Sequence, residues 1–332
     1  MLTDARKFKV RLASATGLSE SAINAAWPDW WSDDADSSPS AQAELRFSLA
    51  RKLGLDPGSL LDDESPRFLW DDSAKYKNFT GDDAREKPAI TAFGMSMARL
   101  LTQCVDSGPT LEGMTAAKLR ASLLHAYSFV RLQDLLSLLW GVGIPTIYLK
   151  VFPVAAKRMC AMSVRTTDRY AILLAKDSMY PASVAFHLAH EIGHIALGHV
   201  GIGSALVDMD DPAEREKSED KEEQDADAFA LELLTGDAKF KVSKKGRGRS
   251  ASELAAQALE VGPARQIEPG TLALCYGHAT QEWATVQNAM KTIYTHEIAA
   301  WSVTNRIANI QLKLDVLTDE NASFLHAVMG GV

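Results

Sequence analysis

The stretch SVAFHLAHEIGHIALGHV occupies residues 183–200 and contains the pattern His-Glu-x-x-His. Its apolar residues recur at intervals of three and four, which predicts an amphipathic helix. On that helix His190 and His194 lie four residues apart and share one face. Two imidazoles at this spacing can hold one Zn²⁺, with nitrogen–metal distances of about 2.0–2.1 Å. Glu191 is rotated by about 100° from His190, which places its carboxylate beside the open position of the ion as a candidate general base.

A second stretch, EEQDADAFALELL at residues 222–234, supplies a candidate third ligand. Glu223 and Asp227 lie four residues apart, on the face where small residues allow another helix to approach. Glu223 would complete a set of two histidines and one carboxylate, and one position would be left for water. Asp227 is expected to accept the remaining ring N–H of His190 and so to fix its tautomer. Glu222 is the alternative ligand, although it is rotated by about 100° from Glu223.

The elements around these two motifs predict an α+β, mostly helical fold. The helix that carries Glu223 is expected to begin at Asp211 and Pro212 and to end before Gly236. Three short segments rich in β-branched or aromatic residues predict a small three-stranded sheet. These segments lie at 146–151, 159–164 and 170–174. The last two strands are expected to border the active-site cleft, where either could pair with an extended peptide.

Four further side chains are candidates for the lining of the site. His187 lies seven residues before His194, near the same face of the predicted helix, and fits a structural or substrate-side role better than that of a ligand. Tyr180, Tyr276 and His278 are candidate donors to an oxyanion. Sequence separation alone does not place these three side chains near the metal ligands.

The composition is typical of a globular protein of about two domains, since the 332 residues are 46% hydrophobic and 23% charged. The three cysteines are far apart and indicate neither a disulfide framework nor a cysteine-based zinc site. No apolar run reaches the ~18 residues of a transmembrane helix, and the N-terminus lacks the apolar region of a signal peptide. We therefore expect a cytoplasmic protein without a membrane partner.

Charge is unevenly distributed along the chain, whose net charge is −8. Residues 208–227 contain eleven acidic against three basic side chains, and no broad basic surface suited to strong nucleic-acid binding is expected. Changes in composition predict five segments. These are a helical module at 1–70, a linker at 71–88, a core with the metal site at 89–237, a basic linker at 238–250 and a C-terminal helical domain at 251–332.

Together, HLAHEIGHIALGH and the later EQDADAFALELL resemble the ImmA/IrrE-type metallopeptidases. The similarity covers about residues 146–235 and extends more loosely through 264–277 and the last helices. It implies a gluzincin-like (zincin) core that holds Zn²⁺, or Mn²⁺ or another divalent ion. It also implies a cytoplasmic peptidase that cleaves a helix-turn-helix repressor in stress, phage or mobile-element regulation. It assigns metal binding to His190, His194 and Glu223, catalysis to Glu191, and support of the ligands to Asp227.

The N-terminal segments LASATGLSESAINAAW and LARKLGLDP resemble the helix-turn-helix of small phage-type repressors. The presumed recognition helix at 20–27 has no Arg, Lys or Gln with which to read base edges, which favours a structural or protein-binding module. An alternative function therefore remains. In it the protein is a regulatory or toxin–antitoxin-type binding protein, the zinc is structural, and the N-terminal helices bind a partner or DNA.

Overall fold

The computed structural model describes residues 4–61, 65–77, 86–155, 159–209, 220–242, 248–296 and 299–331. Most of these residues are helical. The α-helices are α1 (Asp4–Thr16), α2 (Glu20–Ala26), α3 (Pro39–Leu53), α4 (Pro57–Leu61), α5 (Glu86–Gln103), α6 (Ala116–Leu124), α7 (Leu132–Gly141), α8 (Pro181–Ala196), α9 (Lys221–Thr235), α10 (Ala251–Ala264), α11 (Pro269–Thr280), α12 (Trp283–Ile293), α13 (Ala300–Gln311) and α14 (Asp319–Met329). Short 3-10 helices cover Asp33–Ser37 and Leu314–Val316. None of the described helices is both long and apolar enough to cross a bilayer.

Within the described residues, five strands form one mixed sheet. They are β1 (Ala74–Lys77), β2 (Thr146–Tyr148), β3 (Ala161–Arg165), β4 (Tyr170–Leu174) and β5 (Ser204–Asp208). Their order in the sheet is β1-β5-β3-β4-β2. β3 is antiparallel to β4 and β5, whereas the outer pairs β1–β5 and β2–β4 are parallel. The α+β, mostly helical class predicted from the sequence is confirmed, but the sheet has five strands instead of three.

The two additional strands have weak sequence patterns. β1, with the sequence AKYK, lies in the segment predicted as a linker and forms one edge of the sheet. β5, with the sequence SALVD, is too short to show a period and is followed directly by the acidic run. Both strands are held by pairing with segments that are distant in the sequence. Local sequence patterns do not report such pairing.

The sheet order corrects the expectation that β3 or β4 pairs with an extended substrate. β3 lies between β5 and β4, and β4 lies between β3 and β2. Both sides of each strand are already hydrogen-bonded to a neighbouring strand, so neither can accept a further one. The edges of the sheet are β1 and β2.

The helix that carries Glu223 is shorter than predicted. Asp220 has extended backbone and its carboxylate accepts a hydrogen bond from the amide of Glu222 at 2.9 Å, so α9 begins at Lys221. The predicted start at Asp211 and Pro212 lies outside the described residues. The predicted end is confirmed, because Gly236 adopts the left-handed conformation with φ 85°.

Two hydrophobic clusters lie inside the molecule. The larger cluster contains buried residues of the sheet, of α8 and α9, of the N-terminal helices α2 and α3, and of α13 and α14. The second cluster joins α10, α11 and α12 to the start of α8. α8 therefore contacts both clusters, and burial on several sides holds its position relative to the sheet. The five-segment domain organisation stays a prediction.

Candidate metal centre

The two histidines of the His-Glu-x-x-His pattern lie one turn apart on α8. Their Nε2 atoms are 2.9 Å apart, and the rings meet edge to face with centroids separated by 4.6 Å. Both side chains of His190 and His194 are completely buried. The α-helix itself supplies this pairing, because residues four apart lie on the same face.

Glu223, in the first turn of α9, brings a carboxylate to both imidazoles. Its Oε1 lies 3.3 Å from His194 Nε2, and its Oε2 lies 3.5 Å from His190 Nε2. Although burial raises the pKa of Glu223, the contacts with the two histidines outweigh it and hold the pKa well below its ordinary value. The Glu223 side chain is therefore an anionic donor at neutral pH.

Close packing of α8 and α9 makes this convergence possible. Gly193 faces α9, and a Cβ atom added there would lie 3.2 Å from Phe229 Cβ and 3.3 Å from the Cα and carbonyl oxygen of Ala226. The missing side chain of Gly193 thus allows the backbone of α9 to approach α8. Ala226 lies three residues after Glu223, so the contact lies within one turn of the ligand.

Asp227, one turn after Glu223 on α9, lies beside the ring of His190. Its Oδ1 is 2.9 Å from His190 Nδ1. Burial lowers the pKa of His190, but the nearby carboxylates of Asp208 and Asp227 outweigh burial and raise that pKa well above its ordinary value. With Asp227 beside Nδ1, the Nε2 atom of His190 lies toward Glu223 and is available to a cation.

Asp208 is a candidate ligand that the sequence analysis missed. It is the last residue of β5, is 1% exposed, and places Oδ2 3.2 Å from His190 Nε2. Neither of its carboxylate oxygens has hydrogen-bond geometry to a donor among the described residues. Donor atoms of His190, His194, Asp208 and Glu223 all lie within 4.8 Å of one another. The sequence signal available was an acid at the end of a short apolar run, hidden by the acids that follow it.

The arrangement fits a divalent ion. Donors at the corners of a tetrahedron with metal bonds of about 2.0–2.1 Å are separated by about 3.3 Å. The distances from His190 Nε2 to His194 Nε2, to Asp208 Oδ2 and to Glu223 Oε2 are 2.9, 3.2 and 3.5 Å. Imidazole nitrogens and carboxylate oxygens are ligands that Zn²⁺ accepts, and buried carboxylates that lack a cation are costly. These four residues could hold the ion.

Glu191 follows His190 on α8 and is buried against the sheet. Its Oε2 accepts a hydrogen bond of 2.5 Å from Ser163 Oγ on β3, while its Oε1 has no hydrogen-bond partner in the described part of the chain. Burial and the negative charge of Asp208 raise the pKa of Glu191 well above its ordinary value, against the opposing effects of His190 and Ser163. A carboxylate beside the candidate ligands, with one oxygen held by Ser163, is placed to transfer a proton. Ser163 was not singled out in the sequence, because its contact depends on strand register.

His199 supports the second histidine of the pattern. Its Nδ1 lies 2.9 Å from His194 Nδ1. Burial lowers the pKa of both His194 and His199. A neutral His194 whose Nδ1 is occupied by this contact leaves Nε2 directed at Glu223.

Glu222, the alternative ligand, points away from the histidines. It forms ion pairs with Lys75 at 3.0 Å and with Lys77 at 2.9 Å, both on β1. Lys77 also contacts Asp220 at 2.6 Å and lies 3.8 Å from Glu223 Oε1. Burial lowers the pKa of Lys77, but the hydrogen bonds with Asp220 and Glu222 outweigh it and raise the pKa. Lys77 thus fixes the start of α9 against the edge strand.

The structure does not bring the three predicted oxyanion donors to the metal ligands. Tyr180 precedes α8, about 15 Å from His190 along the helix axis, and stacks on Tyr294 at 5.7 Å. Tyr276 donates a hydrogen bond to Glu282, and the ring of His278 packs against Trp283 at 5.2 Å. These contacts lie around the second hydrophobic cluster. His187 is buried one turn before His190 on α8.

Residues 157–262 match the family model of peptidase U49. The matched region is less than half of the chain, but it includes β3, β4, α8, β5 and α9 and therefore all four candidate metal ligands. This similarity supports a peptidase. No curated protein and no solved structure matches the chain. The finer resemblance to ImmA/IrrE-type enzymes, and that of the N-terminal helices to a helix-turn-helix, stay predictions.

Proposed function

We propose that the protein is a zinc-dependent endopeptidase that cleaves a protein substrate. The observation that carries the proposal is the convergence of His190, His194 and Glu223, with Nε2–carboxylate distances of 3.3 and 3.5 Å, beside the buried carboxylate of Glu191. The similarity to a peptidase family over the same region supports it. Mn²⁺ or another divalent ion would suit the same donors.

In this proposal Glu191 is the general base and acid of hydrolysis. A divalent ion in the centre would lower the pKa of a coordinated water and polarise the peptide carbonyl. Ser163 holds Oε2 of Glu191, which leaves Oε1 to accept the proton of water and later to donate it to the leaving amine. Asp227 and His199 hold the rings of His190 and His194 in orientation.

For the substrate we propose a small DNA-binding repressor, on the basis of the resemblance to ImmA/IrrE-type enzymes. Among the strands of the described residues, β1 is the edge strand nearest the donors, since its Lys77 lies 3.8 Å from Glu223. An extended segment of the substrate would add to β1, and backbone hydrogen bonds would hold the scissile bond beside the centre.

The proposal is tested by separating metal binding from cleavage. Glu191→Gln is expected to keep one zinc per chain by elemental analysis but to lose all cleavage, seen as one transcription factor that disappears from the proteome only with wild-type protein. Glu222→Gln is the matched control, because it removes a carboxylate that contacts lysines instead of the histidines. His190→Ala and Glu223→Ala are expected to lose zinc. Full cleavage by Glu191→Gln, or unchanged zinc in the two ligand variants, would refute the proposal.

The second candidate is a regulatory binding protein with a structural ion. Asp208 favours this candidate, because structural zinc sites have four protein ligands. In that case Glu191→Gln would behave as wild type in cells, while His190→Ala would lose both zinc and function.

A further inference from the structure

The carboxylate of Asp208 is buried, and no hydrogen-bond donor in the described part of the chain compensates it. It is 1% exposed, and neither of its oxygens has a hydrogen-bond donor among the described residues. Burying an ionised carboxylate without a compensating partner costs roughly several kcal/mol, even after the surrounding protein relaxes. The lysine that the structure places nearest the cluster, Lys77, is engaged by Asp220 and Glu222 at 2.6 and 2.9 Å.

A protonated His190 does not balance the local charge. Asp208, Glu223 and Asp227 all lie within 3.5 Å of a nitrogen of this one ring. One imidazolium would thus face three carboxylates, with Glu191 as a fourth acid buried alongside. A divalent ion supplies the missing positive charge and can bind the oxygens directly.

We propose that Asp208 is a fourth protein ligand of the metal and occupies the coordination position that the sequence pattern leaves to water. Its Oδ2 is 3.2 Å from His190 Nε2, a separation typical of two donors on one tetrahedral ion, and its donor lies within 4.8 Å of those of His194 and Glu223. The inference rests on the proposed metal site but goes beyond it, because a centre with these four donors is closed at rest.

The backbone of Asp208 is held independently of its side chain. Its carbonyl oxygen accepts a hydrogen bond of 2.7 Å from the amide of Cys160, and the residue is in register with Ala161 on β3 and Lys77 on β1. The carboxylate can therefore rotate away from the ion without breaking the sheet. Opening the centre to water or to a peptide carbonyl would require Asp208 to leave the ion, and the sheet hydrogen bonds do not oppose that movement.

The test compares zinc affinities by competition with a chromophoric chelator. Asp208→Asn preserves the shape of the side chain and is expected to weaken zinc binding at least about 100-fold, as befits loss of a ligand. Asp225→Asn is the matched control, because Asp225 lies on α9 and pairs with Lys221 at the surface. The zinc affinity of this variant is expected to stay within about threefold of wild type. Circular dichroism and thermal unfolding of the metal-free proteins check that the variants fold.

A second readout reports whether a coordination position is open. In the Co²⁺-loaded wild type the visible spectrum is expected to be unchanged by added azide, whereas in Asp208→Ala it is expected to shift as azide enters the vacated position. If Asp208→Asn keeps wild-type affinity, or if azide shifts the wild-type and Asp208→Ala spectra to the same extent at the same concentrations, Asp208 is not a ligand. If His190→Ala and Glu223→Ala also keep their zinc, the metal site of the proposed function fails as well, so the two failures are distinguishable.

Discussion

Replacing Gly193 by alanine is expected to weaken metal binding and to change stability only modestly. The added Cβ would lie 3.2 Å from Phe229 Cβ and 3.3 Å from two backbone atoms of Ala226. Carbon atoms in contact prefer about 3.5–4.0 Å, so α9 must move by a few tenths of an ångström. Side-chain rotation cannot relieve the clash, because the contacted atoms are backbone atoms and a Cβ. The movement draws Glu223, one turn away, from the two histidines.

Two opposing terms set the stability of the metal-free Gly193→Ala variant. Alanine in place of glycine inside a helix gains about 1 kcal/mol, and overpacking costs about 1–3 kcal/mol. The net destabilisation is therefore about 0–2 kcal/mol. Ligand positions tolerate errors of only about 0.2 Å, so we expect zinc affinity to fall by about tenfold or more.

Chelator competition and thermal unfolding of the metal-free protein measure the two effects separately. Gly141→Ala in α7 is the matched control, because a Cβ there would meet no atom within 4 Å and the residue is exposed. The control is expected to keep wild-type zinc affinity. Wild-type affinity in Gly193→Ala would refute the reasoning that close packing of α8 and α9 positions Glu223.

Two further predictions concern contacts outside the ligands themselves. Asp227→Asn is expected to lower zinc affinity by about 10–100-fold, measured by the same competition, because it removes the carboxylate 2.9 Å from His190 Nδ1. Glu320→Gln is expected to destabilise the protein at pH 7 by about 1–2 kcal/mol in urea unfolding, because Lys52, 2% exposed, loses its ion pair. Although burial raises the pKa of Glu320, hydrogen bonds from Lys52 and Ser48 outweigh it and lower that pKa below the ordinary 4.5. The stability from this pair is thus present above pH 4.5 and is lost as the pH falls through the lowered pKa, so wild type and Glu320→Gln should converge in acid. A difference that is constant with pH would contradict this account.

The parts of the centre that sequence predicts are those set by helix geometry. The spacing of His190 and His194, and that of Glu223 and Asp227, places each pair on one face of a helix, whatever the rest of the chain does. The end of α9 was equally local, since Gly236 needs no distant partner to adopt its left-handed conformation. The start of α9 depends on a distant contact, because Asp220 pairs with Lys77 of an edge strand that the sequence pattern did not reveal.

The remaining parts of the centre depend on strand register. Asp208 reaches His190 only because β5 pairs with both β3 and β1, and Ser163 reaches Glu191 only because β3 lies in the middle of the sheet. A shift of one residue in either strand would turn these side chains to the opposite face. The pairing of β3 with β5 joins segments that are about forty residues apart in the sequence, so the spacing of residues within one segment does not report it. The local motif therefore predicts an open centre with three ligands, and the non-local register brings the carboxylate of Asp208 to it as a fourth candidate ligand.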